Sequence, residues 1–315
     1  MYFGALFNLY QMSTKWFVVV NPTSGNGISK KKWPKIYKEL NHQNIEFEFA
    51  FTAYEKHSIK LIHQAINKGY KKLICVGGDG TIHNFVNAVL SLNSKNTSNI
   101  KIGIIPIGTG NDWVKTYHIS KNYKEAIKVI KAEKIIQQDI GKLNIKETGK
   151  EIYFNNLAGI GFDGYVVNKV HKYKNLGFLA YLTGALVSLT TYKKSNLEIK
   201  FNKTVLKGKA LALLIGICKY SGGGMQLTQN PNSTDGLFDI TYVKNISLLT
   251  LLKNIKGLFN GKITHLKIIK NYKSSELKIT VLDTQDTYIQ ADGEIIGSGS
   301  FNVSIVPKSI NFIVP

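Results

Sequence analysis

The residues best suited to chemistry begin at Val76-Gly77-Gly78-Asp79-Gly80-Thr81. Glycines there let the main chain reach a phosphate with no Cβ in the way. A helix opening directly behind them offers unused N–H donors and the positive end of its dipole. The Asp79 carboxylate makes sense beside phosphate chiefly when a cation stands between the two. Two more glycine turns share this character, Asn21-Pro22-Thr23-Ser24-Gly25-Asn26-Gly27 and Pro106-Ile107-Gly108-Thr109-Gly110-Asn111-Asp112. The first is not a P-loop, because the Gly-x4-Gly-Lys-Ser/Thr spacing is absent. Far downstream, Asp292-Gly293-Glu294 sets two carboxylates two positions apart. On an extended segment they would face one side, and the same tripeptide also reads as an exposed turn.

The elements around these turns fix where they lie. Trp16–Val20 is an apolar run ahead of the first turn, and Ile28 to Leu40 reads as a basic helix. Ile45 to Phe51 alternates like a strand, Ser58 to Asn67 has helical spacing, and Leu73–Val76 and Ile102–Ile105 are buried-strand runs. Strands alternating with helices predict a Rossmann-like parallel α/β sheet. Ligands of such sheets sit beyond the strand C-termini, where all three turns would converge. After about Ile135 the texture changes to successive strand-like runs: Ile152–Leu157, Leu197–Phe201, Lys209–Ile217, Phe238–Val243, Leu266–Lys270, Leu277–Leu282, Tyr288–Gln290 and Phe301–Val306. Helices are expected at Val166–Val170, Leu176–Leu189 and Leu248–Phe259. The fold class is therefore α/β plus β: residues 13–135 a nucleotide domain, 136–295 a mainly antiparallel β-sandwich, and 296–315 returning to the first domain. Gly159-x-Gly161-x-x-Gly164 matches a dinucleotide fingerprint. That reading fails because no Asp or Glu follows between Asp163 and Glu198 to bind the ribose.

A net charge of +21 favours an anionic partner. Its lysines are spread along the chain, and no zinc-finger or RNA-binding motif accompanies them, which argues against nucleic acid. Cys75 and Cys218 lie in apolar runs and read as core thiols of a reducing compartment. Residues 1–12 are apolar but lack a basic leading region and a cleavage site, so they make a poor signal peptide. The uncharged run Asn175–Tyr192 falls short of the roughly 20 apolar residues that span a bilayer.

In order, Asn-Pro-Thr-Ser-Gly at 21–25, Gly-Gly-Asp-Gly-Thr at 77–81 and Pro-Ile-Gly-Thr-Gly-Asn-Asp at 106–112 resemble the diacylglycerol kinase catalytic-domain family, soluble bacterial lipid kinases related to sphingosine and ceramide kinases. Ala-Gly-Ile-Gly-Phe-Asp at 158–163, Gly-Gly-Gly-Met at 222–225, Asp-Gly-Leu-Phe-Asp at 235–239 and Asp-Gly-Glu at 292–294 continue the match. The glycine–aspartate turn alone also occurs in NAD kinases. The resemblance implies ATP and Mg²⁺ as cofactors. ATP would be cradled by Asn21, Pro22, Thr23, Ser24 and Gly25, and by Gly78, Asp79, Gly80, Thr81, Ile82, His83 and Asn84. Thr52, Thr109 and Asn111 would assist, and Asp79 and Asp112 would organise Mg²⁺. Asp292 would be the general base on a lipid hydroxyl, with Glu294 beside it or in that role itself. A structural magnesium would be held by Asp235 and the main-chain oxygens of Asn232 and Leu237.

The resemblance further implies a cytoplasmic, ATP-dependent lipid kinase that phosphorylates diacylglycerol or a similar lipid alcohol at an anionic membrane surface, with a homodimer allowed. Val166, Val167, Val170, Leu176, Phe178, Leu179, Leu182 and Leu186, interleaved with Lys169, Lys172 and Lys174, could form the lipid-access surface or an ordinary core helix. The rivals are a kinase of a soluble acceptor such as NAD, and an inactive basic membrane-binding module.

Overall fold

The structure, a computed structural model, describes residues 14–92, 99–170, 178–283 and 287–315. It falls into two compact units, one running to Gln138 with Lys308–Pro315 added, the other Asp139–Pro307.

The first unit is built on four parallel strands, β1 (Trp16–Val20), β2 (Phe47–Phe51), β3 (Lys72–Gly77) and β4 (Lys101–Pro106), in spatial order β2-β1-β3-β4. Five helices follow the strands: α1 (Ile28–His42), α2 (His57–Asn67), α3 (Asp79–Ser91), α4 (Asp112–Thr116) and α5 (Tyr123–Ala132). Strand periodicity divides the core between two faces. Val18, Val20, Ile74, Val76 and Ile105 pack with Trp33, Ile36 and Leu40 of α1 and with Ile127 and Ile130 of α5. The alternate residues Val19, Leu73, Cys75 and Ile104 are buried on the other face, where α2 and α3 pack together over β1 and β3. Burial on both faces explains why β3 and β4 read as continuous apolar runs. The chain runs from β1 outward to β2 and then back across to β3, so the topological switch lies between β1 and β3. Doubly wound sheets bind ligands at that point.

The second unit is antiparallel. One sheet has the order β12 (Ile269–Ser274), β11 (Phe238–Val243), β10 (Ala212–Gly216), β7 (Leu157–Gly161), β14 (Tyr288–Ala291) and β15 (Glu294–Ser298). Elsewhere β16 (Phe301–Ile313) pairs with β13 (Glu276–Val281), which pairs with β8 (Ser195–Phe201), which pairs with β9 (Thr204–Ala210). β5 (Ile135–Ile145) pairs with β16 and with β6 (Glu151–Phe154). The helices are α6 (Phe162–Val170), α7 (Phe178–Thr191), α8 (Leu248–Lys253) and α9 (Ile255–Asn260).

Several boundaries differ from expectation. The run Ile152–Leu157 is two strands broken at Asn155-Asn156, and Lys209–Ile217 is interrupted at Leu211. β12 starts only at Ile269, because Lys262–His265 forms a 3₁₀ turn. β5 escaped the pattern because Gln137, Gln138 and Asp139 interrupt its apolar alternation. Residues 296–307 stay with the second unit, and the return to the first begins at Lys308 rather than 296. The physical reason is the length of β16. Its first part pairs with β13, and only Asn311 and Phe312 reach β4, as a further parallel strand.

Candidate active site

In the first unit the three glycine turns meet at the C-terminal ends of β1, β3 and β4. Asn21 donates its N–H to the Val76 carbonyl at 3.0 Å and its amide Nδ2 to Thr81 Oγ1 at 3.1 Å, which ties the first turn to the second. Asn21 Oδ1 accepts from the Thr23 N–H at 3.2 Å and hydroxyl at 2.8 Å. Ile107 donates to the Gly77 carbonyl at 2.8 Å, which ties the second turn to the third. Gly78 and Gly108 are the closest approach. A Cβ on Gly108 would stand 2.9 Å from Gly78 Cα and 2.7 Å from Asn111 Oδ1. Only glycine allows that approach. Gly25 (φ +61°) lies against Ile107, and Thr52 donates its N–H to Val20, so all four strand ends are represented.

Asp79 has a use that the sequence did not disclose. Its Oδ2 accepts from the Asp112 N–H and its Oδ1 from the Trp113 N–H, each at 3.1 Å, so it caps α4 from another element. Charge-assisted bonds of this kind contribute about 1.5–3 kcal/mol each. The cap draws the two acids together: a Cβ on Gly110 would lie 3.0 Å from Asp79 Oδ2 and 3.6 Å from Asp112 Oδ2. Asp112 is buried, with the Lys115 ammonium 3.7 Å from its Oδ1. Two carboxylates bordering one small space are a hard-oxygen set of the size Mg²⁺ uses when phosphates and waters complete its shell. Magnesium fits there.

Not every expected residue faces this space. Ile82 and His83 are buried in the α3 packing face, and Asn87 Nδ2 lies 3.3 Å from His83 Nε2. The N–H groups of Thr81 and Ile82 both turn back to the Gly78 carbonyl. Thr109 is exposed, Asn84 is half-buried, and Pro22, Thr23 and Ser24 lie on the first turn. Asn111 is buried and donates to the Gly108 carbonyl at 2.8 Å, so it shapes its loop rather than reaching outward.

In the second unit, Asp292 and Gly293 both take positive φ (+51° and +81°) and form the two-residue turn between β14 and β15. This corrects the extended-segment reading: Asp-Gly between strands is a type I′ hairpin signature. Asp292 Oδ1 accepts from the N–H groups of Asn156 (2.9 Å) and Leu157 (3.1 Å), and Oδ2 from Asn155 (3.1 Å). The side-chain carbonyl of buried Asn156 has no partner among the described residues. Glu294 is half-buried, and its carboxylate makes no hydrogen bond or ion pair there. Asp292 is thus the fixed acid of the pair and Glu294 the free one.

In the loop of Asn232, Asp235 and Leu237 the Asp235 carboxylate is engaged by the chain itself. Asp235 Oδ2 holds the Lys273 ammonium at 3.0 Å, and Oδ1 accepts from the Leu237 N–H at 3.0 Å. A cation of the chain, Lys273, thus pairs with the carboxylate that the resemblance assigns to a metal. Among the described residues no three His, Cys, Asp or Glu side chains gather as a metal site.

A cavity with about 980 Å³ of atom-free space, its open mouth included, lies in the second unit. Its walls are almost wholly apolar, with Val166, Leu186, Leu189, Leu214, Leu227 and Leu251 among them. The expected access residues Val166 and Leu186 therefore face an interior. Leu176, Lys172 and Lys174 lie outside the described residues, as do the side chains of Val170, Phe178, Leu179 and Leu182. One carboxylate, Asp163, lines the cavity. Burial pushes its carboxyl up to about 6, against an opposing bond from Gln290. Two glycines of the dinucleotide-like fingerprint serve this corner. A Cβ on Gly159 would lie 2.2 Å from Asp163 Oδ2, and one on Gly164 would meet the Tyr288 carbonyl at 2.2 Å. Their space is filled by the chain itself. Sequence reasoning missed Asp163, Gln290 and the N–H row of Asn155–Leu157. The one signal was a lone Gln in the buried run Tyr288–Ala291.

Residues 15–143 match the diacylglycerol kinase catalytic domain family, and residues 156–314 the YegS C-terminal NAD kinase beta sandwich-like domain. The chain is 28% identical over 301 residues to the diacylglycerol kinase of Staphylococcus aureus (strain Newman), covering 95% of this chain and 91% of that one. It is 27% identical over 301 residues to the diacylglycerol kinase of Staphylococcus haemolyticus (strain JCSC1435), covering 95% and 87%. The crystal structure of a diacylglycerol kinase from Bacillus anthracis str. Sterne has the same fold. The TM-score is 0.72 at 22% identity, over 96% of this chain and 97% of that one.

Proposed function

Because the chain belongs to the diacylglycerol kinase catalytic-domain family, with a YegS-type C-terminal domain, we propose that it transfers the γ-phosphate of ATP to the hydroxyl of a lipid alcohol. The lipid acceptor rests on the apolar cavity, which lies in the same unit as the Asp292–Glu294 turn. A soluble acceptor such as NAD would need polar partners that those walls lack. Diacylglycerol is the first acceptor to test, since the relatives carry that name.

Phosphoryl transfer needs in-line positioning, stabilisation of the phosphate charge and a group to take the attacking hydroxyl's proton. The glycine turns at Asn21–Gly25, Gly77–Thr81 and Gly108–Gly110 leave room for phosphates against main-chain N–H groups and the α3 N-terminus. Asp79 and Asp112 would hold Mg²⁺, which supplies positive charge to the phosphate oxygens. The acid pair of the β14–β15 turn takes the hydroxyl proton. Asp292 fixes the turn, and Glu294 offers a carboxyl group that nothing else engages among the described residues. The charge of +21 suits work at an anionic membrane surface on the cytoplasmic side, each lysine near such a surface contributing about 1 kcal/mol. No helix among the described residues is long and apolar enough to cross a membrane. Half-exposed Phe49 and Phe51 on edge strand β2 offer a face for a second copy.

The test is transfer of labelled γ-phosphate, with Mg²⁺, to dioctanoylglycerol in mixed micelles and, separately, to NAD. Label in the chloroform phase that depends on Glu294 supports the proposal. Label on NAD alone would sink it.

A further inference from the structure

Gln290 is buried on β14, directly opposite Gly159 on β7. Cross-strand partners share a face, and the missing Cβ of Gly159 leaves the niche that the Asp163 carboxylate fills. Gln290 donates Nε2 to Asp163 Oδ2 and accepts, on Oε1, the N–H of Gly293 at 2.9 Å. A carboxylate accepts and an N–H donates, so only one orientation of the amide satisfies both. Between Ile289 and Gln290 the β14–β15 register slips. Bulges of this kind re-aim side chains beside active sites.

We propose that Gln290 is a positioning residue: braced on the cavity-wall carboxylate Asp163, it holds the Gly293 N–H and thereby sets the direction of the turn that carries Asp292 and Glu294. This rests on the reading of that turn as the acceptor-activating site. Asp292 pins the turn to the Asn155–Leu157 segment, and Gln290 fixes it from the cavity side. The two attachments together leave little freedom to the carboxylates. The Asp292 N–H, donating to the Leu157 carbonyl at 2.9 Å, and the pairing of Ala291 with Glu294 hold the base of the turn. Losing Gln290 therefore frees its Gly293 tip, and displacements near 1 Å can cost on the order of a hundredfold in rate.

The test uses the full chain with dioctanoylglycerol as acceptor and three variants: Gln290→Glu, Gln290→Leu and the double variant Asp163→Asn/Gln290→Glu. In Gln290→Glu two carboxyls face each other and the amide donor is lost, and assays extend to alkaline pH so that a proton shared between the two does not stand in for it. We expect kcat to fall on the order of tenfold to a hundredfold, with KM for ATP within about twofold of wild type. In the double variant the amide introduced at position 163 supplies the donor, and the carboxylate introduced at position 290 still accepts from Gly293. Most of kcat should then return. Unchanged kcat in Gln290→Glu would overturn the proposal. So would a double variant that melts like wild type yet stays slow. If the double variant does not fold, amide exchange of the 288–298 peptide decides instead. Gln290→Leu should strip protection from the Gly293 amide, and retained protection would refute the link. Wild type that phosphorylates no lipid would defeat the lipid reading, while the exchange measurement would still read the positioning claim.

Discussion

Replacing Asp163 by Asn should stabilise the protein, with a pH dependence that identifies the cause. Burial raises this carboxyl from its ordinary 3.8 to about 6. About two pKa units at 1.36 kcal/mol each amount to a penalty of about 3 kcal/mol on the ionised form. The folded protein binds more protons than the unfolded chain between those two values. Stability therefore falls as pH rises through the window, and the penalty is complete above pH 6 and absent below pH 3.8. The Asp163→Asn side chain carries no charge and can still accept from Gln290 Nε2. The expected gain is about 3 kcal/mol near pH 8 and about 1.6 kcal/mol at pH 5. Asp163 is half-buried because it looks into the cavity, and water admitted there screens the charge, so these values are ceilings. Screening lowers the gain near pH 8 more than the gain at pH 5, and the gain near pH 8 stays the larger of the two. Denaturant titration at the two pH values checks it, with thermal midpoints moving by roughly 2–4 °C per kcal/mol. An equal gain at both pH values, or a loss near pH 8, would refute the assignment of the penalty to a buried charge.

Gly108→Ala should force the second and third turns apart, since its Cβ would meet Gly78 Cα at 2.9 Å. The expected cost is about 1–3 kcal/mol of stability and a loss of ATP affinity, read by calorimetric titration. Lys273→Met removes a half-exposed partner of Asp235, so stability should drop by no more than about 1 kcal/mol. The freed loop should then gain thermal stability from millimolar Mg²⁺. Wild type without nucleotide should melt alike in Mg²⁺ and in EDTA, and a fall in EDTA would mean that a metal displaces Lys273. Asp292→Asn should lower both stability and activity, because its new NH₂ would face the N–H donors at Asn155–Leu157. Glu294→Gln should lower activity with stability within about 0.5 kcal/mol, and full activity in that variant would remove Glu294 from the proton-accepting pair.

The first unit was legible because its signals are local. Each phosphate-facing turn is a glycine segment directly after an apolar strand and before a helix, and the β3 and β4 runs advertise burial on both faces. In the second unit the decisive partners are distant in sequence. Nothing in Asn155-Asn156-Leu157 announces that its N–H groups belong to Asp292, and nothing in Lys273 announces Asp235. The Asp292-Gly293 turn was nonetheless readable. Asp-Gly between alternating apolar residues is a hairpin rule, and the pairing of two acids drew attention to chemistry before backbone. The spacing of Gly159, Gly161 and Gly164 suggests a dinucleotide loop without its acidic partner. Gly159 packs on Asp163, Gly164 on Tyr288, and Gly161, at positive φ, on the Leu211 carbonyl; those uses depend on which group fills each gap, which spacing does not tell.

Acids in this chain often serve as anchors for main-chain N–H groups brought from elsewhere. Asp79 holds Asp112 and Trp113, Asp292 holds Asn155–Leu157, Asp139 holds Gly236, and Asp239 holds Gln229 and Asn230. A row of donors requires a partner that only accepts, which a carboxylate provides on both oxygens and an amide on one. Such bonds also offset the cost of removing the charge from water, and a chain of net +21 makes an anion easier to keep. An Asp in a family motif therefore does not by itself separate chemistry from scaffolding, because one carboxylate has lone pairs enough for both. In the β14–β15 turn the two roles fall on different residues. Lost activity in Asp292→Asn reports anchor and acid together, whereas Glu294→Gln reports the acid alone.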